Sequence, residues 1–230
     1  MPKKTGKELI VKVLKEKSSL KQNVFHQNIK VFEEMKSLIK EVVADLKSEA
    51  EKIDSRILID FREKGPYEIE LKIAGDVLFF HMHTNVFEFD KSHPMWKSSY
   101  VLDDPTRSFC GMINIYNFLA DSFKYNRVND VGYMIARLFI NNERHYFVEG
   151  KRQLGFLYND FANKIIDREA LKNIILSAII YAIDFDLFTP PFEEMQEISV
   201  SQILEASENM RIKTGKRLGF RFQSDNDQIA

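Results

Sequence analysis

One cysteine, Cys110, stands in 230 residues. No intramolecular disulfide can form, and any metal site has to rest on histidine and carboxylate ligands. Glycine, with 9 residues, and proline, with 6, are sparse, which excludes collagen-like and linker-rich chains. Neither sign of charge prevails. Thirty-three Lys and Arg meet 34 Asp and Glu for a formal net charge of -1, so no global field draws the chain to nucleic acid or to an anionic membrane. The opening MPKKTGKELIVKVLKEK has no apolar signal core, and no apolar run is long enough for a membrane span. Gly-x-Ser-x-Gly, P-loop and Gly-x-Gly-x-x-Gly are missing too, and with them the sequence anchors of the hydrolase elbow, the NTPases and the dinucleotide binders. These absences point to a cytoplasmic protein, and they leave the identity of any cofactor unknown.

What is there is enough for a core. Hydrophobic residues make up 44% of the chain, which argues against wholesale disorder. The strongest periodic signal is a helix over 19–53. Phe25, Phe32, Ile39, Leu46 and Ile53 recur every seven residues, Met35 and Val42 occupy the complementary heptad site, and Asn28 and Glu49 interrupt it. Ser19 followed by Gln22 is a capping-box pattern that sets the expected start. Such a helix is about 50 Å long at ~1.5 Å per residue. A strict seven-residue stripe has two uses: it lies on the chain's own sheet, or it pairs with a second copy as a coiled coil. The stripe of Phe25, Phe32, Met35, Ile39, Val42, Leu46 and Ile53 is thus the candidate self-association surface. Ahead of it, Leu9, Ile10, Val13 and Leu14 suit a short helix within 7–17.

At Arg56 the period changes to two. Ile57, Ile59 and Phe61 alternate with Leu58, Asp60 and Arg62, a turn centred on Gly65 follows, and Tyr67, Ile69, Leu71 and Ile73 alternate again. Further strands are expected at 77–83, 86–90, 112–124, 131–140 and 144–149, with a long surface loop over 91–108. A helix with an almost wholly apolar centre is expected over 160–184, the sign of burial on several sides. The expected fold is α+β: an antiparallel sheet of six or seven strands spanning 56–158, a long amino-terminal helix and a buried carboxy-terminal helix packed on it. Residues 1–190 then form one domain, and 191–230 an extension with a short helix, capped at Ser199, and a basic tail.

Three constellations carry possible chemistry. His81 and His83, two apart on a strand, emerge on one face and suit a borderline metal such as zinc. A third ligand has to come from elsewhere, with Asp90, His93 and Cys110 nearest in sequence; two core-edge imidazoles are the plainer alternative. With the turn centred on Gly65, Asp60 falls opposite Glu70, and Lys72 shares their face. These three residues resemble the Asp…Glu-x-Lys signature of the restriction-endonuclease-like superfamily. That resemblance implies a magnesium-dependent nuclease whose carboxylates hold the metal and whose lysine orients the attacking water. Alternating Glu and Lys also mark any solvated sheet face. Finally, Arg211, Lys213, Lys216, Arg217 and Arg221 run without an acid, beside Phe220 and Phe222. This suits either phosphate-and-base contact or a charged edge strand.

Phe supplies 19 of the aromatic residues, against 8 Tyr and 1 Trp. Many fall on expected strands, where they fill a core or line an apolar ligand cavity. The heptad stripe and the lack of a convergent catalytic set favour a regulatory or protein-interaction module without enzymatic activity. It is expected to form a homo-oligomer or take a protein partner through the long helix, and to bind a small ligand on its sheet. A metal-dependent hydrolase or nuclease, and nucleic-acid binding through the basic tail, are the alternatives.

Overall fold

The computed structural model describes residues 5–187 and, beyond them, 189, 191–194, 196–197 and 199–201. It opens on one continuous 48-residue helix, made of α1 (Gly6–Val13), a π turn (Leu14–Ser18) and α2 (Ser19–Ile53). The break and capping box expected at Ser19 do not exist. Ser18 and Ser19 both hold helical backbone angles, and Ser18 makes no side-chain cap. The capping box lies at Thr5, whose Oγ1 accepts from the Glu8 N–H at 3.4 Å while the Glu8 carboxylate accepts from the Thr5 N–H at 2.8 Å.

The helix is followed by β1 (Ile59–Gly65), β2 (Glu68–Ile73), β3 (Asp76–Met82) and the short β4 (Phe87–Glu88). The long connection after β4 is organised by two 3-10 turns and α3 (Ser99–Asp103). Then come β5 (Phe109–Leu119), α4 (Ala120–Lys124), β6 (Tyr133–Asn141), β7 (Tyr146–Gly150), α5 (Gln153–Phe156) and α6 (Arg168–Ile183). All strand pairs are antiparallel. The order is β1-β2-β3-β5-β6-β7, with β4 added along the start of β5. The α+β fold with a seven-strand antiparallel sheet is thus as the alternation predicts.

The sheet has a covered face and an open one. On the covered face Leu71, Phe80, Ile115 and Leu138 meet Phe32, Met35 and Ile39 of α2 and Ile174, Ile175 and Ala178 of α6 in one core, each no more than 1% exposed. Burial of this kind contributes roughly 1.5–3 kcal/mol per large side chain. Between β7 and α6 the chain runs along the outer edge of the sheet. The Tyr146 and Val148 N–H groups donate to the Lys164 and Tyr158 carbonyls. That is why α6 begins at Arg168 rather than near 160: residues 158–166 are spent satisfying an edge strand. Asp167 caps the helix, accepting from the Ala170 N–H at 2.8 Å. Burial covers one side of α6, and Ile180 and Ile183 remain exposed.

Candidate functional site

The heptad stripe is spent inside the chain. Phe32, Met35, Ile39 and Val42 are at most 3% exposed against the sheet, Phe25 and Leu46 pack at the margin of the same core, and Ile53 stands 77% exposed beyond the sheet. Of the two uses open to such a stripe, the structure takes the first. Asn28, the polar break, donates its amide to the Val24 and Ile140 carbonyls at 2.8 and 3.1 Å, which ties α2 to β6.

The hairpin register differs from the one a Gly65-centred turn implies. Gly65 is itself in β1, paired with Glu68, and the turn is Pro66-Tyr67. Asp60 therefore faces Lys72, and Glu70 faces Arg62. Both carboxylates are held by cations: Asp60 by Arg62 at 3.0 Å, Glu70 by Lys64 at 2.8 Å. The opposed pair of acids that the nuclease resemblance requires is not assembled. His81 and His83 do share a face, their rings 6.5 Å apart and nearly perpendicular. His83 Nδ1 accepts from the Asn85 N–H at 3.0 Å, and its ring lies 4.9 Å from Phe87. Cys110 is fully buried, which pushes its thiol up. Among the described residues no group of three His, Cys, Asp or Glu side chains converges as a metal site. The basic residues Arg211, Lys213, Lys216, Arg217 and Arg221 lie outside the described residues.

The open face gathers what the sequence leaves scattered. Register sets Glu68, His81, Asn114, Arg137 and Glu149 in one line across five strands, about 19 Å long at ~4.8 Å per strand. A cleft lies at each end of this line. At the first, α4 turns back over the sheet as soon as β5 ends. Phe123 packs on Phe79 and Phe118 with ring centres 5.2 and 5.5 Å away, and Phe79 and Phe118 meet edge-on at 5.7 Å. The following turn is pinned by Asp130, whose carboxylate accepts from Ser122 Oγ at 2.7 Å and pairs with Arg127 Nε at 3.0 Å. Gly132 lets the chain pass: a Cβ there would lie 2.3 Å from the Phe118 ring. The result is a cleft of about 530 Å³ with an aromatic floor and Glu68, His81 and Tyr116 on its walls.

The second cleft, about 590 Å³, lies between the loop after β4 and the outer strand, lined by His93, Phe147, Glu149 and Asp160 among others. Here the polar groups are occupied. Arg137 hydrogen-bonds Glu149, His93 Nε2 stands 3.7 Å from the same carboxylate, and His93 Nδ1 accepts from the Met95 N–H at 3.3 Å. The loop is fixed by Tyr100, which donates to Glu143 at 2.6 Å and stacks on His145 at 4.2 Å. Burial and the Glu143 carboxylate push the Tyr100 hydroxyl up, so it stays protonated and donating.

Fold and site together define an α+β protein with one sheet face buried under two helices and the other built into two clefts. No protein-family model, no curated protein and no solved structure matches the chain. Among the described residues no helix is long and apolar enough to cross a membrane. Phe79, Tyr116, Phe118, Phe123 and Glu68 carry no motif that joins them in the sequence. The only signal was the excess of Phe on strands.

Proposed function

We propose that this chain is a non-enzymatic module that binds a small, largely apolar ligand in the cleft between the open sheet face and the α4 turn. The observation that carries this reading is the floor of Phe79, Phe118 and Phe123 under a cleft of about 530 Å³. A concave apolar surface with a few polar groups is the usual form of a small-molecule site. Phe123 alone leaves 47% of its surface exposed, and a ligand seated there removes that surface from water. Native mass spectrometry on gently purified protein tests it. A reproducible added mass, or saturable uptake of the apolar dye Nile red, is expected for the wild type and is lost in Phe118→Ala. No added mass and no saturable dye uptake overturns the reading.

A second reading, self-association, is favoured by a different observation. With most of the heptad stripe buried, the apolar residues clustered and exposed at the start of the long helix are Leu9, Ile10, Val11, Val13 and Leu14, between 42% and 62% exposed. Association through this overhang is expected to give a concentration-dependent dimer in sedimentation velocity that Ile10→Asp dissociates. A monomer at every concentration removes it.

A further inference from the structure

The polar groups around the first cleft fall into two sets. Ser122, Arg127 and Asp130 hold the turn, and their charges cancel among themselves. Glu68, His81 and Tyr116 line the same cleft, yet none of the three side chains makes a hydrogen bond or ion pair among the described residues. Glu68 and His81 are directly opposed on β2 and β3. Glu70, the next carboxylate on this face of β2, is neutralised by Lys64 at 2.8 Å. Glu149, at the far end of the polar line, is neutralised by Arg137. Within that line Glu68 is the carboxylate without a cation among the described residues, and it stands beside an aromatic wall.

We propose that the missing cation is the ligand's, and that the cleft takes a protonated amine carried on an aromatic or other apolar body. The inference rests on the reading of this cleft as a ligand site. The ammonium group sits at Glu68, where a carboxylate beside low-polarity walls attracts it more strongly than in open water and forms charge-assisted hydrogen bonds. The negative faces of the nearby rings add to the attraction. The body of the ligand lies on Phe79, Phe118 and Phe123, and the His81 ring and the Tyr116 hydroxyl take the remaining hydrogen bonds. An anionic ligand of the same shape meets the like charge of Glu68 and is rejected.

Three probes with one ring system and different charge test this by isothermal titration calorimetry on the full chain: tryptamine (cationic), tryptophol (neutral) and indole-3-acetate (anionic). Tryptamine is expected to bind at least tenfold more tightly than tryptophol, and indole-3-acetate more weakly than either. Glu68→Gln is expected to abolish the tryptamine preference and leave tryptophol unchanged, with an unaltered melting temperature as the check on folding. Equal binding of tryptamine and tryptophol, or a preference that survives Glu68→Gln, overturns the charge assignment while leaving the cleft reading intact. Binding of none of the three overturns the amine inference. The cleft reading falls with it only if Nile red also fails to bind.

Discussion

The Asn28 amide spans from α2 to β6, and it reaches β6 only because residue 111 has no side chain. A Cβ on Gly111 would lie 2.3 Å from Asn28 Cγ. Gly111→Ala is therefore expected to cost about 1–3 kcal/mol, the usual range for overpacking. The double variant Asn28→Ala with Gly111→Ala is expected to cost less than the sum of the two single changes. Urea titration of the four proteins gives the coupling, and strict additivity would separate the two residues. Arg144, at φ 67°, offers a pH test. Its guanidinium grips Glu34 of α2 at 2.9 and 2.8 Å and donates to the Ile166 carbonyl at 3.1 Å. That hydrogen-bonded pair holds the Glu34 carboxyl below its ordinary value of 4.5. A folded-state value lower than the unfolded one adds stability that is present above the unfolded value and is lost as pH falls through the folded one. Glu34 is 40% exposed as a side chain, so solvent screening limits the contribution to about 0.5–1 kcal/mol. Glu34→Gln is expected to melt lower than wild type at pH 7, and the gap is expected to narrow as the pH is lowered through the acid range, by paired thermal scans.

At the scale of elements, the decisive one is α2. Phe32 is 1% exposed and Ile53 77% exposed, although both belong to the same seven-residue row. Phe32→Asp is expected to unfold the protein, because it places an unpaired carboxylate in the core at a cost of about 4 kcal/mol or more. Ile53→Asp is expected to change stability by less than about 0.5 kcal/mol. Circular dichroism melts distinguish the pair; a folded Phe32→Asp protein would contradict the packing described. The end and phase of this helix were legible because a 35-residue apolar rhythm survives single exceptions; its start was not, because the helix runs on without a break through residues 6–18. Its partner was not, since a seven-residue row reads the same whether a sheet or a second helix covers it. The hairpin register missed by a smaller margin. Pro66 and Tyr67 form the turn while Gly65 is drawn into β1, and that displacement is enough to exchange Glu70 for Lys72 opposite Asp60.

For the whole molecule, alternation along the strands was sufficient to give the antiparallel sheet, although not the placing of β5 beside β3 with β4 off the main path. The cleft was beyond it. Which residues share the floor depends on the pairing of β3 with β5, on the irregularity at Ile115 and Tyr116, and on the fold-back of α4. None of these leaves a pattern in a linear sequence. His81 stood out as half of a histidine pair, whereas its neighbours in the cleft, Glu68, Phe79, Tyr116 and Phe118, are ordinary strand residues. The same whole-molecule view isolates the segment before α2. No residue of α1 or of the π turn is buried, so a chain beginning at Ser19 is expected to keep the wild-type unfolding free energy, from urea titration, to within about 0.5 kcal/mol. A larger loss would show that the overhang contributes to the core.

The path of the chain also sets an order of events during synthesis. Asn28 and the Ile140 carbonyl it binds are 112 residues apart. At ~5–20 residues per second of translation, that interval lasts on the order of 6–20 s. For that time the most apolar surface of the long helix is outside the ribosome with its sheet still incomplete. The growing polypeptide thus presents neighbouring ribosomes and chaperones with a surface that the finished protein hides.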